Sequence, residues 1–196
     1  MKKLFTYFTA VSIAIVGLTA CDNNDEMIEM SSAQNEEILL AKSAKAPGEK
    51  SIATIAVEAG FTELVGALAY VDKELGRSYI DLFANGKDQY TVFAPDNEAF
   101  EKLYTALNVN DIMGIDPELV EQVLLYHVVE GRRGSNSVLP KNNYKTITTL
   151  QGGDFKVDPD GNIVAVGNMT MITGSDISAS NGMVHIISDV LLPIEI

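Results

Sequence analysis

The chain has 196 residues, enough for one domain or one domain with an appendage, and its 46% hydrophobic and 21% charged residues fit a globular body and exclude a wholly disordered one. Fourteen Lys and Arg against 27 Asp and Glu leave a net charge of −13, whereas a nucleic-acid binder needs a basic face to release counterions, so nucleic acid is not an expected partner. A single Cys excludes an intrachain disulfide, a CxxC redox pair and a Cys-rich zinc site, and two His argue against a multi-His centre; no metal and no cofactor are expected.

Met1-Lys2-Lys3 is a short positive start, Leu4 to Leu18 is a mostly apolar run, and no acid appears before Asp22. That is the layout of a secretory leader; a membrane-spanning helix would need about 20 predominantly apolar residues and seldom meets an acidic cluster at its edge. Leu18-Thr19-Ala20-Cys21 resembles the bacterial lipobox, in which the Cys thiol is acylated and the chain is cut just before it. The expected layout is a lipoprotein signal peptide over 1–20, an acylated Cys21 with a flexible acidic tether over 21–49, and a folded domain over 50–196. Cleavage removes Lys2 and Lys3 and no acid, which takes the charge from −13 to −15. Anionic headgroups repel such a body, so the lipid on Cys21 must hold it to the membrane. Asp22-Asn23-Asn24-Asp25-Glu26 reads as a solvated linker. It also resembles tags that send lipoproteins to the outer face in some Gram-negative bacteria, and both readings stay open. The expected location is the bacterial envelope, anchored to the outer membrane, periplasmic or surface-exposed. Ile38-Leu39-Leu40 has the makings of a helical turn or two before Pro47-Gly48 punctuates the chain.

In the body, Ile52, Ile55, Ala56 and Ala59 recur at three-and-four spacing and predict a short helix stopped by Gly60. A second is predicted from near Thr62, with Leu64, Val65, Leu68 and Val71 on one face, ending before Gly76. Asn85-Gly86 predicts a turn ahead of a strand at Tyr90–Phe93. Asp96 is a natural N-cap, Glu98 suits the helix dipole, and Pro95 is placed to staple against Phe100; Leu103 and Leu107 continue the buried stripe. Asp116-Pro117 repeats the pattern for a helix that buries Val120, Leu124 and His127. After Gly131 the predicted elements are strands at Thr146–Leu150, Phe155–Val157, Ile163–Val166, Met169–Thr173 and Met183–Val190, with Asp160-Gly161 and Asn181-Gly182 as turns. Helices first and strands afterwards predict an α+β domain.

Three segments carry a pattern in order: Tyr90-Thr91-Val92-Phe93-Ala94-Pro95-Asp96-Asn97-Glu98-Ala99-Phe100, then Leu125-Tyr126-His127-Val128-Val129, then Asn181-Gly182-Met183-Val184-His185-Ile186-Ile187-Ser188-Asp189-Val190-Leu191-Leu192-Pro193. They resemble the two signature boxes and the Tyr-His element of the fasciclin domain, and the similarity runs through Thr149-Leu150-Gln151-Gly152 over roughly residues 50–194. The resemblance implies an α+β fold, a β-wedge of about seven strands packed with N-terminal helices. It implies an extracellular adhesion or matrix-binding role, usually without catalysis. Two departures stand out: the chain between Ala69 and Asp88 is longer than usual, which predicts an extra helical turn around Tyr79–Phe83, and Ser188 stands where an acid is common.

The resemblance also supplies binding candidates. Tyr126 and His127 match an element tied to adhesion in animal members, although the position of His127 on an apolar stripe reads first as a buried, hydrogen-bonded core histidine. Asp176 and Ile177 keep two residues of the Glu-Pro-Asp-Ile-Met segment of adhesive members, with Gly174 and Ser175 in place of Glu-Pro. His185, alternating with Val184 and Ile186, suits a hydrogen-bonded structural role. Asp158-Pro159-Asp160-Gly161-Asn162 mimics the opening of a calcium loop, but Ile163 and Met169 stand at the positions that need Gly and Glu, so a hairpin turn is expected. No catalytic residue is assigned: there is no G-x-S-x-G elbow and no phosphate-cradling loop. The expected function is a lipid-anchored adhesion or ligand-binding module with an extracellular protein or glycan partner. The alternatives are a glycan-active hydrolase, which needs an acid of raised pKa in a cleft, and an accessory structural subunit of an envelope assembly.

Overall fold

The computed structural model describes residues 47–195. The leader, Cys21, most of the tether and the Ile38–Leu40 turn lie outside the described residues.

Three helices open the domain: α1 (Ile52–Glu58), α2 (Thr62–Leu75) and α3 (Tyr79–Asn85). Ser51 caps α1 by accepting from the Thr54 N–H at 3.2 Å, and Gly76, at φ +64°, ends α2 in a left-handed turn. The third helix is the extra turn expected from the long link. Its N-terminus is capped from its neighbour, because the Asp72 carboxylate of α2 accepts from Tyr79 N–H at 2.7 Å and Ile80 N–H at 3.0 Å.

Strand β1 (Tyr90–Pro95) then leads into α4 (Asn97–Leu107), and a short 3-10 turn over Ile112–Gly114 precedes α5 (Pro117–Tyr126). Both predicted caps form. Asp96 accepts from Ala99 N–H at 2.8 Å, and Asp116 accepts from Glu118 N–H at 3.0 Å and Leu119 N–H at 3.2 Å. Two elements follow that local patterning does not predict, β2 (Val128–Glu130) and the one-turn α6 (Ser135–Val138). The chain finishes with β3 (Lys145–Thr148), β4 (Asp154–Val157), β5 (Asn162–Val164), β6 (Met169–Ala179) and β7 (Gly182–Ile187). Relative to the sequence reading, β5 stops two residues earlier and β6 runs six residues further.

The seven strands form one sheet in the order β2-β1-β7-β6-β5-β4-β3. All neighbours are antiparallel except β1 and β7, which run parallel from Tyr90↔Gly182 to Pro95↔Ile187. Strand β6 folds the sheet into a wedge: Met169–Met171 pair with β5, Ile172–Ala179 pair with β7, and two register breaks lie between Ile172 and Ile177. The wedge nearly closes, because Leu150 N–H after β3 reaches Val128 O of β2 at 2.7 Å.

Two cores result. Val92 and Ala94 face the helices with Val71, Phe100, Val120 and Leu124, whereas Phe93 turns into the wedge with Phe155, Ile163, Ile187 and Leu191. Phe93 meets Phe155 edge-on at 5.1 Å. Buried on both faces, β1 is the spine of the domain, which explains a mostly apolar run in which Thr91 is the polar exception, its hydroxyl bonded to Gly131 O and Arg133 N–H. The Asn-Gly of the last box serves close packing: Asn181 Oδ1 accepts from Ile52 N–H at 2.9 Å and its Nδ2–H donates to Phe83 O at 2.8 Å. A Cβ at Gly182 would lie 2.0 Å from Tyr90 O, so only glycine fits beside β1.

Candidate functional site

The end of α5 delivers Tyr126 and His127 to opposite cores. Tyr126 is buried in the wedge, edge-on to Phe155 at 6.0 Å, and its hydroxyl donates to Asp154 O at 2.6 Å. Burial raises its pKa above the ordinary phenol value. His127 is 2% exposed and closes α5. Its Nδ1 lies 2.6 Å from Val123 O and its Nε2 accepts from Leu191 N–H at 2.8 Å. An acceptor at Nε2 and a carbonyl at Nδ1 assign the neutral tautomer with its proton on Nδ1. Burial pushes the pKa of His127 down to about 4, against a weaker opposing pull from the Val123 carbonyl. Two small apolar cavities, about 40 and 50 Å³, share Leu124 and His127 in their walls.

Asp176 and Ile177 sit at the bend of β6. Asp176 takes φ +62°, a left-handed conformation that Asp tolerates better than most residues. Its carboxylate accepts from Ser135 N–H at 2.7 Å and Ser135 Oγ–H at 2.5 Å, so it caps α6 across the wedge. Its own N–H points at His185 Nδ1 at 3.4 Å, and His185 Nε2–H donates to Arg133 O at 2.9 Å. Burial lowers the pKa of His185, with the Arg133 carbonyl and the Asp176 charge pulling the other way. Ile177 is half-buried and pairs with Val184. Together with Ile55, Ala59 and Ser178 it lines an open groove of about 510 Å³, rimmed by Glu49 and by the ion pair of Lys50 with Glu58.

The four candidates are therefore not one site. Tyr126 and His127 are core side chains on either side of α5, Asp176 is committed to a cap, and Ile177 borders open space. A residue that the sequence reading passed over completes the Asp176 region. Arg132 is directed inward, donating through Nη1 to Ala179 O at 2.7 Å and Gly182 O at 2.5 Å and through Nη2 to Ser178 Oγ at 2.5 Å. Its signal was a basic pair, Arg132-Arg133, directly before the Gly134-Ser135 turn. The Asp158 loop is a hairpin turn: Asp158 accepts from the Asp160 and Asn162 N–H groups at 2.9 and 2.8 Å and from Asn162 Nδ2–H at 2.8 Å.

Residues 59–193 match the fasciclin domain model, and the chain belongs to that family. It is 39% identical over 105 residues to the immunogenic protein MPB70 of Mycobacterium bovis, a match covering 54% of this chain and 50% of that one. It is 35% identical over 105 residues to the cell surface glycolipoprotein MPB83 of the same species, covering 54% of this chain and 44% of that one. Human periostin is 35% identical over 113 residues, 57% of this chain and 13% of periostin. The chain thus spans about half the length of the mycobacterial relatives and a small part of the animal one. Among solved structures, a fasciclin domain pair from the insect cell adhesion molecule fasciclin I aligns with a TM-score of 0.48 at 19% identity, covering 66% of this chain and 45% of that chain.

Proposed function

We propose that the chain is a non-catalytic adhesion module, held to a bacterial envelope by a lipid on Cys21 and displayed on the tether that ends near residue 49. The observation that carries this reading is the fasciclin match over residues 59–193 in a chain that also bears Leu18-Thr19-Ala20-Cys21. The name of the mycobacterial relative, a cell surface glycolipoprotein, is consistent with it. The state of the two histidines favours binding over catalysis. Each has both ring nitrogens directed at backbone groups, so neither is poised to move a substrate proton. The groove beside Ile177 is the candidate contact surface, since it is the place where a family-derived binding position meets open space.

The test is binding of the chain to an array of matrix proteins and glycans, with turnover of the same glycans measured in parallel. Saturable binding to an array member, weakened at least about tenfold by Ile177→Asp without loss of folding, is the expected result. Glycan cleavage, or no binding anywhere on the array, overturns the reading.

A further inference from the structure

The groove beside Ile177 pairs an aliphatic floor with an acidic rim. Half-buried Ile55 and Ile177, with exposed Ala59, supply the floor. The rim carries Glu49 and Glu58 against a single cation, Lys50, which is ion-paired with Glu58. Both side chains of that pair are more than half exposed, so the pair is weakly held and an incoming guanidinium can displace Lys50. Backbone bonds fix the rim: Gly48 N–H donates to Ala179 O at 3.2 Å, and Ser180 N–H donates to Lys50 O at 2.8 Å. Glu58 is also the last residue of α1, where the carbonyl end of a helix is partly negative and a basic side chain is the favourable choice. An acid there deepens the negative potential at the edge of the groove instead of cancelling it.

The surrounding charge has the same sign. The stretch from Glu49 to Glu130, which supplies all but Ile177 and Ser178 of the groove lining, holds 15 acids and five basic residues, whereas Gly131 to Glu195 holds six acids and five basic residues. Such a field repels polyanions, and it repels a second copy that presents the same face. A neutral sugar chain finds no aromatic ring to stack on among the described residues of the lining. The one hydroxyl there, Ser178 Oγ, already accepts from Arg132 Nη2. We propose, on the adhesion reading above, that the groove takes an extended basic segment of a protein partner. Aliphatic side chains of that segment sit on Ile55, Ala59 and Ile177, and arginine or lysine side chains flank them over Glu49 and Glu58. The volume of about 510 Å³ lies in the range of pockets that enclose a few side chains. The acidic field steers the segment in from a distance, and the aliphatic floor holds it on contact.

The experiment uses the full chain with Cys21→Ser, so that no lipid or membrane charge enters the measurement. The probe is a short synthetic peptide alternating arginine and leucine, with one companion that carries glutamate for arginine and another that carries serine for leucine. Titration calorimetry should give a micromolar dissociation constant for the arginine-leucine peptide, weakening as salt is added. Both companions should bind at least about tenfold more weakly. Glu49→Gln combined with Glu58→Gln should weaken the arginine-leucine peptide at least about tenfold. Glu101→Gln combined with Glu118→Gln removes the same charge from exposed positions outside the groove and should change binding less than about twofold. Urea melts of both double variants report folding. No binding of the arginine-leucine peptide, equal binding of the serine companion, or equal losses in the two double variants overturns the proposal. So does an array partner that is lost on Ile177→Asp and is a glycan, an outcome that leaves the adhesion reading in place. A silent array beside a bound peptide does the reverse: it removes the adhesion reading and upholds the preference of the groove.

Discussion

Leu191 N–H donates to His127 Nε2 at 2.8 Å, and this bond ties the segment after β7 to the end of α5 through a ring enclosed by apolar side chains. Protonation of Nε2 would set two donors against each other in a site that cannot solvate the charge. The folded pKa of about 4 lies below the unfolded value of about 6.5, so between these limits the unfolded chain binds the proton and the folded chain does not. Stability is therefore full above about pH 6.5, falls as the pH drops toward 4, and levels off below. The expected loss from this group is about 3 kcal/mol. His185 shifts in the same direction, so the test is the difference in urea stability between the wild type and His127→Gln across this window. If that difference stays flat from pH 7 to 4, His127 does not titrate as a buried base.

Asp96 and Phe100 separate the capping of α4 from its packing. Asp96→Ala removes the acceptor for Ala99 N–H and should cost about 1 kcal/mol. Phe100, 3% exposed between Pro95 and Leu103, should cost roughly 3–5 kcal/mol as Phe100→Ala. Urea melts check the ranking, and equal small losses would mean that the box around Pro95 does not organise the helical core.

The legible parts of this fold are those fixed by neighbours in sequence. Asp96 and Asp116 announce their helices because a cap acts over two or three residues, and Gly76 marks a stop because the left-handed turn it permits is local. The long link after Ala69 showed that something extra occurs at Tyr79, but not that Asp72 caps it from the previous helix. What stayed hidden depends on distant partners. Val128–Glu130 is three residues long and is a strand only because β1 is there to pair with it. The bend of β6 shows locally as little more than Gly174 and Asp176, and its meaning comes from pairing with two different strands. The family-derived positions could be named from the sequence, yet nothing local could distribute Tyr126, His127, Asp176 and Ile177 among two cores, a cap and a groove.

Cys21 is the chain's one thiol, so the proposed lipid anchor rests on a single residue. Cys21→Ala should abolish palmitate labelling and release the protein from the membrane fraction, because a body this acidic gains nothing from anionic headgroups. Labelling and pelleting that survive the substitution would refute the lipobox reading.

Asp176 decides whether the bend of β6 is built for structure or for contact. Its carboxylate satisfies both the N–H and the hydroxyl of Ser135, and its backbone is held at φ +62°. Asp176→Ala removes the acceptor from two partly buried donors and places a residue with little tolerance for this conformation at the bend, at an expected cost of about 2 kcal/mol. Asp176→Asn keeps one acceptor oxygen and the tolerance for a left-handed backbone, so it should lose less than half as much. Loosening the cap also frees the loop that carries Arg133 O, the acceptor of His185 Nε2–H, so hydrogen exchange at Arg133 to Ser135 should quicken in the Ala variant and barely change in the Asn variant. If Asp176→Ala leaves both the urea midpoint and the exchange rates untouched while array binding falls, the carboxylate belongs to the contact surface with Ile177 and not to the scaffold beneath it.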